Sequence, residues 1–338
     1  MRVQLLVLAL VCLAAGGHAS CQGNACQEQA QAARAAGLLG GTLGSCAPKT
    51  YPTSGALSPI TLDNHINDLK WAAGPDGSVS DKYIFALTME TDGFPGGPLY
   101  LSDNGGQPNS WTDLTPKIAA ALPAGNDSLK GVMEAVWHEK KPDRIFFQGK
   151  GRFHFVSSDY GATFKALPTP GGTEGYAQEL RLHPRQPDWI LAKVRRNECL
   201  VDRRSAACAF DLFLTQDFGE SWANLTANSA GRVASFRDFD WGCHLAMFAG
   251  KPTPDEAIFA TVYASASSQK GLYPGWDKDL HYVVSLDLFK TPVVKMVPCG
   301  NLFEVVAKKV YLAVPSDCPV GPDGKARAAP KQGITGRT

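Results

Sequence analysis

The sequence lacks an excess of charge of either sign. It contains 33 Lys and Arg against 32 Asp and Glu in 338 residues, so its formal net charge is only +1. Domains that bind nucleic acid or an acidic membrane surface carry a basic patch that shifts this balance. The composition therefore gives no electrostatic support for such partners, and no nucleic-acid partner is predicted.

Long apolar runs are missing after the first twenty residues. Arg2, the run LLVLALVCLAA and the small residues of GHAS have the order of a secretory signal peptide, which is predicted to cover residues 1–20. That run is too short for a membrane-spanning helix, which needs about 20 residues. The sequence therefore predicts a chain in the secretory pathway with no membrane span of its own.

Metal-binding motifs are also missing. No C-x-x-C pair occurs, no His lies at ligand spacing beside a cysteine pair, and there is no HExxH, so the zinc alternative is disfavoured and no cofactor is predicted. Without Cys12 of the signal peptide, the chain keeps an even set of cysteines, which in an oxidising compartment predicts disulfides. That set is Cys21, Cys26, Cys46, Cys199, Cys208, Cys243, Cys299 and Cys318.

One disulfide can be predicted from its loop. Cys199 and Cys208 flank the polar segment LVDRRSAA, which separates the strand-like runs WILAKVR and AFDLFLT. An antiparallel hairpin would bring the ends of this loop within the Cα separation that a disulfide needs, about 4.4–6.8 Å. The remaining six cysteines allow about fifteen pairings, among which the sequence does not choose.

Helical periodicity is weak throughout the chain. The exception is ACQEQAQAARAAGLL (25–39), which indicates either a short helix or a disordered leader within residues 21–55. Residues 319–338 are rich in Lys, Arg, Pro and Gly and are predicted to be disordered. Asn126 and Asn224 begin N-x-S/T triplets and are candidate glycosylation sites.

A short motif recurs between these end segments. FVSSDYGATF (155–164) and TQDFGESW (215–222) share five positions, held by Ser157, Asp159, Gly161, Thr163 and Phe164 in the first and by Thr215, Asp217, Gly219, Ser221 and Trp222 in the second. LSDNGGQPNSW (101–111) is aligned through Asp103 and Gly105, with an insertion before its Trp. SLDLFKT (285–291) keeps Asp287 but has Phe289 in place of Gly.

A second motif, H-x-x-x-P-D-x-I, alternates with the first. It begins at His138 and at His183, with a weaker third copy around Pro254 and Asp255. Each copy precedes one strand-like run, and a second run then ends in the Asp motif. Units of four strands at a period of roughly 40–60 residues indicate an all-β propeller over residues 56–318.

The residue types of the Asp motif are those of a tight turn between strands. Asp accepts hydrogen bonds from nearby backbone N–H groups, Gly adopts a conformation closed to other residues, and the aromatic side chain packs into the sheet. Architecture explains every position, so the motif is interpreted as structural and no catalytic residue is predicted.

These motifs resemble the Asp-box repeats of sialidases and of the sortilin and vacuolar protein sorting receptor family. The segments PDRIFFQGKGRFHFVSSDYGATFKAL, HPRQPDWILA and FRDFDWG are similar to blades of the sorting receptors, and the resemblance covers about residues 60 to 315. It implies the luminal part of a ten-bladed propeller in the Golgi or endosome that binds protein or peptide cargo and has no enzymatic activity.

The chain departs from that family pattern in its extent. Four Asp motifs account for four to five blades in an open arc, and this predicts either a piece of a receptor or a short secreted relative. Two alternatives stay open. A sialidase needs a carboxylate-binding Arg in its opening blade, yet no Arg occurs between Arg34 and Arg144. A secreted lectin-like interaction propeller is the other.

Overall fold

The second strand of each repeat unit is a short, almost continuous apolar run. Such a run forms a strand that is buried on both faces, and in a computed structural model of the chain Ile258–Tyr263 is buried at all six positions. The structure describes residues 62–312, with gaps at 63–64, 74–78, 108, 125–130, 173–176, 203–204, 206, 245–246, 249, 264–279, 299–302 and 307–308. The predicted signal peptide, the 25–39 segment, the 319–338 tail and Asn126 lie outside the described residues.

The described strands form four antiparallel sheets of four strands, which we call blades 1 to 4. Blade 1 contains β1 (Ile66–Ala73), β2 (Val79–Met89), β3 (Pro95–Ser102) and β4 (Trp111–Asp113). Blade 2 contains β5 (Val132–His138), β6 (Lys141–Gly149), β7 (Phe153–Ser157) and β8 (Lys165–Pro168). Blade 3 contains β9 (Ala177–Leu182), β10 (Ile190–Arg195), β11 (Phe210–Thr215) and β12 (Ala223–Asn224).

Blade 4 has the strand order β13-β16-β17-β18, because the hairpin of β14 (Met247–Phe248) and β15 (Lys251–Pro252) is inserted after its first strand. Its strands are β13 (Ser235–Trp241), β16 (Ile258–Tyr263), β17 (Leu280–Ser285) and β18 (Val294–Pro298). The short helices α1 (Thr115–Ala120), α2 (Glu198–Val201) and α3 (Leu225–Asn228) and the 3-10 turns Pro170–Gly172 and Gly242–His244 lie in connections.

Apolar cores lie between successive blades. Phe85 and Leu87 of blade 1 pack with Ile145 and Phe147 of blade 2. Equivalent cores join blade 2 to blade 3 and blade 3 to blade 4. Blades 2 and 3 therefore bury both faces against neighbouring blades, and this stacking explains why their second strands are apolar without alternation.

The first strands of successive blades lie side by side. Lys70 Nζ of β1 donates to the Ala135 carbonyl of β5 at 3.1 Å, and Trp241 Nε1 of β13 donates to the Arg181 carbonyl of β9 at 3.0 Å. These strands are therefore the inner ones, and we call the region where they meet the hub. The inner position of the first strand is that of a propeller blade.

A fifth blade begins after blade 4. The hairpin of β19 (Phe303–Val306) and β20 (Lys309–Leu312) places Phe303, Val305 and Val310 against Phe259 and Val284 of blade 4. Within residues 62–312, the described strands form four full blades and one hairpin of a fifth, which confirms the all-β propeller fold and agrees with the predicted four to five blades. In the described part of the chain, no helix is long and apolar enough to cross a membrane.

Candidate functional site

The Asp motifs form the turns between the third and fourth strands of the blades. Ser157 Oγ donates to Asp159 Oδ1 at 2.7 Å and accepts from the Gly161 N–H at 2.8 Å. The Asp159 carboxylate also accepts from the Thr163 N–H at 2.9 Å and from the Thr163 hydroxyl at 2.6 Å. Where the chain reverses, the Gly161 and Thr163 N–H groups have no neighbouring strand to bond to. The Ser157 hydroxyl and the Asp159 carboxylate accept their hydrogen bonds instead.

The second box repeats this geometry. Thr215 Oγ1 donates to Asp217 Oδ1 at 2.7 Å, and Ser221 donates to the same carboxylate from its N–H at 2.9 Å and from its hydroxyl. In blade 4 the Thr291 N–H donates to Asp287 at 3.0 Å. Although burial raises the pKa of all three carboxyls, hydrogen bonds from the Thr or Ser residues outweigh it, so each pKa lies below its ordinary value.

Two consecutive residues in each of these turns have positive φ. They are Tyr160 and Gly161, Phe218 and Gly219, and Leu288 and Phe289. Phe289 keeps the left-handed conformation of the missing glycine, with a φ of 63°. Its ring is fully buried and packs edge-on against Phe236, with ring centroids 5.3 Å apart. Burial of this ring offsets the backbone strain of a non-glycine residue.

The structure corrects the sequence alignment of the first box. Ser102 Oγ accepts from the Gly106 N–H at 2.8 Å, as Ser157 Oγ does from Gly161. Asn104, not Asp103, therefore holds the Asp position, and Gly106, not Gly105, holds the Gly position. Two adjacent Asp-like residues and two adjacent glycines made the register ambiguous in the sequence. Asp103 is exposed, and Ser110 Oγ lies 2.7 Å from Ser102 Oγ in place of a carboxylate.

Cys199 and Cys208 form a disulfide with a Cα separation of 4.4 Å, the pairing that their loop predicted. Both side chains are fully buried beside Phe210. Cys243, by contrast, is a free and buried thiol. The even cysteine count had predicted a disulfide there; instead Cys243 Sγ lies against the His183 ring, 3.2 Å from Nε2. The other five cysteines lie outside the described residues.

The H-x-x-x-P-D motifs form the turns between first and second strands. His183 Nδ1 accepts from the N–H groups of Arg185 and Gln186 at 3.0 and 2.8 Å, and His138 Nδ1 accepts from the Lys140 N–H at 3.0 Å. The imidazole therefore caps the turn with one nitrogen. Sequence reasoning detected these residues as a repeat but assigned them no contact.

The Asp of the same motif links one blade to the next. Asp188 of blade 3 accepts from Lys141 of blade 2 at 2.9 Å and also from Arg144. Asp255 of blade 4 accepts from Gln186 of blade 3 at 2.7 Å and lies 3.0 Å from Arg185 Nε. The Asp of the second and third copies thus contacts a basic residue of the preceding copy. The sequence motif by itself did not indicate these contacts between blades.

His183, Cys243 and Asp255 bring three atoms of metal-ligand type together, but their hydrogen bonding does not suit a metal. Because His183 Nδ1 accepts two backbone N–H groups, Nε2 carries the ring proton, and it lies 3.1 Å from the Asp255 carbonyl. A protonated nitrogen has no lone pair for a metal ion. Burial also raises the pKa of the Cys243 thiol and lowers the pKa of His183. We interpret the cluster as a packing contact between blades 3 and 4.

The hub is the strongest candidate for a binding surface, because charged side chains concentrate there. Lys70 of blade 1 forms an ion pair with Glu134 of blade 2 at 3.2 Å, and Lys193 of blade 3 forms one with Glu179 at 2.7 Å. We call these residues the hub row: Lys70, Glu134, Glu179, Arg181, Lys193, Asp238 and Asp240. Composition alone could not reveal the row, since opposite charges cancel in the total.

Two acidic members of the hub row are held in a mostly desolvated position. Burial raises the pKa of Asp238 and that of Asp240 above their ordinary values. Asp238 Oδ1 accepts from the Phe239 N–H at 2.9 Å and its Oδ2 from the Phe303 N–H at 3.3 Å. The row thus reaches the beginning of the fifth blade. Carboxyl groups whose pKa is shifted by burial are found more often at functional sites than elsewhere on a protein surface.

The candidate glycosylation residue Asn224 lies at the outer strand β12. Its side-chain oxygen accepts from the Ala227 N–H at 2.9 Å and caps helix α3. Thr226 of the same triplet is buried, and its hydroxyl accepts from the Leu212 N–H at 2.9 Å. Both polar residues of this triplet therefore have a structural partner of their own.

Several solved structures are similar to this chain, each at low sequence identity. The GH74 xyloglucanase from Xanthomonas campestris has 18% identity and a TM-score of 0.38, covering 69% of this chain and 30% of that one. YCF48 from Cyanidioschyzon merolae has 13% identity and a TM-score of 0.36, covering 68% and 60%. The NanB sialidase from Streptococcus pneumoniae has 13% identity and a TM-score of 0.36, covering 67% and 35%. The chain thus spans less than two thirds of the length of each of these structures.

Among curated proteins, no sequence matches this chain. The family model Sortilin-Vps10, described as "Sortilin, neurotensin receptor 3", matches residues 97–318. The match begins in the third strand of blade 1 and extends past the fifth-blade hairpin, so it includes three boxes with the full Ser/Thr-x-Asp geometry. It covers more than half of the chain, and the chain therefore belongs to the Sortilin-Vps10 family.

Proposed function

We propose that this chain is the luminal, ligand-binding propeller region of a sorting receptor, and that it binds protein or peptide cargo for transport between the Golgi and the endosome or vacuole. Membership of the Sortilin-Vps10 family supports the receptor part of this proposal. The hub row is the observation that supports binding.

The chemistry of the hub row suits a peptide. Glu179 contacts both Lys193 and Arg181, while Asp238 and Asp240 lie on the next inner strand. Peptides present N–H and C=O groups together with charged side chains or termini, and a row of both signs can pair with each of them. Groups near the hub also come from several blades, so an extended ligand could contact more than one blade at a time.

No catalytic step is part of the proposal. The box carboxylates are occupied by their own turn, and His183 and His138 each use Nδ1 to cap a turn. We therefore expect no turnover of a fluorogenic sialoside by the purified chain. Measurable hydrolysis that follows the protein through purification would contradict the non-enzymatic part of the proposal.

The binding part can be tested with a random peptide library displayed on phage and selected against the immobilised chain. An enriched peptide would then be measured by calorimetry against the wild type and the hub variant Arg181→Gln. We expect at least a tenfold weaker affinity for Arg181→Gln, because hydrogen bonds from a charged guanidinium are about twice as strong as those from a neutral amide.

Lys165→Gln is the matched control. Lys165 forms an exposed ion pair with Glu220 at 2.6 Å, on the outer strand β8 and away from the inner strands. This control should bind the selected peptide as the wild type does. The hub assignment is wrong if Arg181→Gln and Lys165→Gln bind with equal affinity, and the cargo assignment is wrong if no peptide is enriched.

A further inference from the structure

Arg144 joins blades 2 and 3 through an acid and an aromatic ring. Its guanidinium pairs with the Asp188 carboxylate of blade 3. The guanidinium carbon also lies 4.2 Å from the centroid of the Phe218 ring, which belongs to the box of the same blade. The Phe218 N–H donates to the Asp188 carbonyl at 2.9 Å and so holds the ring beside the acid. A carboxylate next to an aromatic ring is a favourable place for a guanidinium.

The junction of blades 1 and 2 has an acid and an aromatic residue in the same two places. Asp143 is the Asp of the first H-x-x-x-P-D copy, as Asp188 is of the second, and Tyr160 follows its box Asp as Phe218 does. Tyr160 also has the left-handed backbone of this position, with a φ of 55°. Burial and, after it, the nearby Asp143 carboxylate raise the pKa of Tyr160, so the acid and the ring lie close together here as well.

Blade 1 does not supply the cation that Arg144 supplies from blade 2. The residue that precedes the second-strand Ile is Arg144 in blade 2 and Tyr83 in blade 1. The Tyr83 ring therefore takes the place of the guanidinium and stacks on the Tyr160 ring, with centroids 4.4 Å apart and planes 7° from parallel. The neighbouring Lys82 directs its charge to the same ring, since Lys82 Nζ lies 4.7 Å from the Tyr83 centroid.

The Asp143 carboxylate differs from its counterparts in having no basic partner. It is exposed and, within the described ranges, takes part in no ion pair or side-chain hydrogen bond. In the other two copies the preceding blade provides a cation: Asp188 pairs with Lys141 at 2.9 Å and Asp255 with Arg185 at 3.0 Å. The junction of blades 1 and 2 thus presents an acceptor for a cation beside two stacked tyrosine rings.

We propose that this junction binds an arginine side chain of a protein partner, whose guanidinium pairs with Asp143 and contacts the tyrosine rings beside it. The internal contact of Arg144 is the template for this recognition. A guanidinium suits the place better than an ammonium, because its planar fork pairs with both carboxylate oxygens and lies well against an aromatic ring. The proposal is independent of the hub row, since Asp143 and both tyrosines lie outside the inner strands.

The first experiment is saturation-transfer difference NMR of the full mature chain, which detects the weak binding expected of one exposed ion pair. The probe is N-acetylarginine methylamide. Its matched control is the citrulline analogue, which has nearly the same shape and no charge. We expect saturation of the arginine side-chain protons and an effect at least fivefold smaller for the citrulline analogue. Equal effects from the two probes, or no effect from either, would overturn the proposal.

Two variants of the same turn locate the bound probe. Asp143→Asn and Glu139→Gln each remove one exposed negative charge, and both should fold as the wild type does. We expect binding of the arginine probe to fall at least fivefold in Asp143→Asn and to stay at the wild-type level in Glu139→Gln. Unchanged binding in Asp143→Asn would place the probe elsewhere, and equal losses in both variants would reduce the effect to general electrostatic attraction; either result refutes the proposal.

A third variant fills the place while Asp143 remains. In Tyr83→Arg the introduced guanidinium can lie on the Tyr160 ring and pair with Asp143, as Arg144 does between blades 2 and 3. We expect this variant to lose the arginine probe as fully as Asp143→Asn does, whereas the uncharged Tyr83→Gln should retain more of the binding. If Tyr83→Arg binds the probe as well as Tyr83→Gln does, the guanidinium does not bind at Asp143.

Discussion

Ser157 Oγ and Asp159 Oδ1 lie 2.7 Å apart in the third turn of blade 2, and Thr215 and Asp217 repeat this distance in blade 3. In both turns the hydroxyl donates to the carboxylate and accepts from a glycine N–H two residues further along. The pair therefore connects the end of one strand to the reversal that follows it. Its loss would leave several polar groups of the turn without partners.

We expect Asp159→Ala and Asp217→Ala each to lower the free energy of unfolding by about 1–3 kcal/mol, because the Thr163 or Ser221 N–H loses its acceptor. Urea denaturation measures this change. Asp103→Ala is the control: Asp103 is exposed and outside the box register, so its effect should stay within about 0.5 kcal/mol. Any cargo binding should survive in the folded fraction of the box variants. Full stability with lost binding would argue for a functional role of the box.

Gly219→Ala should be more destabilising than Gly231→Ala. Both glycines have positive φ, 97° and 80°, but a Cβ at Gly219 would lie 2.8 Å from Phe146 Cε2, whereas none lies within 4 Å at Gly231. Both variants suffer the backbone strain, and only Gly219→Ala adds overpacking, worth about 1–3 kcal/mol. Thermal unfolding of the two proteins side by side would show this difference, and equal losses would mean that the Phe146 ring yields freely.

Removal of the Cys199–Cys208 disulfide in the double Ser variant should lower stability by about 2–3 kcal/mol, because the unfolded chain gains the freedom of an open loop. Non-reducing peptide mapping comes first and should recover the two cysteines in one linked peptide. A linkage from Cys199 to another cysteine would refute the pairing. Cys243→Ser serves as a control for thiol loss, since Cys243 is not in a disulfide in the structure.

His154 should make the chain less stable as the pH falls. Complete burial lowers its pKa from 6.5 to about 3. The unfolded state therefore binds more protons than the folded state between these values, so stability is present above about pH 6.5 and is lost progressively below it. At pH 5 the loss amounts to about 2 kcal/mol.

The test of this pH dependence is the His154→Asn variant. Asn can keep an acceptor for the Gly149 N–H, which His154 Nδ1 accepts at 3.2 Å, but it does not titrate. We expect the variant to be less stable at every pH because it leaves space beside Phe146 and Trp222. Its stability difference between pH 7.5 and pH 5 should nevertheless be smaller than that of the wild type. An unchanged difference would assign the acid sensitivity to another group.

If Asn224 carries a glycan, two substitutions separate the glycan from the helix cap. Asn224→Asp loses the amide nitrogen to which a glycan is attached but keeps an oxygen that accepts from the Ala227 N–H. Asn224→Gln moves that oxygen away from the Ala227 N–H. We expect both variants to lose one glycosidase-sensitive mass shift, and only Asn224→Gln to lose about 1 kcal/mol of stability. An unchanged mass profile in both would show that Asn224 is unmodified.

The box turns and the blade count follow from local sequence. Ser157, Asp159, Gly161 and Thr163 contact one another within seven residues, so their hydrogen bonds depend on little besides the turn itself. The Cys199–Cys208 pair is local for the same reason. The first box shows the limit of this reasoning, because Asp103 and Asn104 offer equivalent chemistry one residue apart and only the register of β3 with β4 selects Asn104.

Contacts between blades depend instead on how the sheets stack. Arg144 and Asp188 are 44 residues apart, and Cys243 and His183 are 60 residues apart, so neither contact can be recognised from a short sequence motif. The hub row likewise exists only because the inner strands of successive blades lie side by side. Turn chemistry is a short-range property that the sequence encodes directly, whereas ion pairs between blades and the environment of a buried thiol depend on how the blades pack, which the sequence does not show directly.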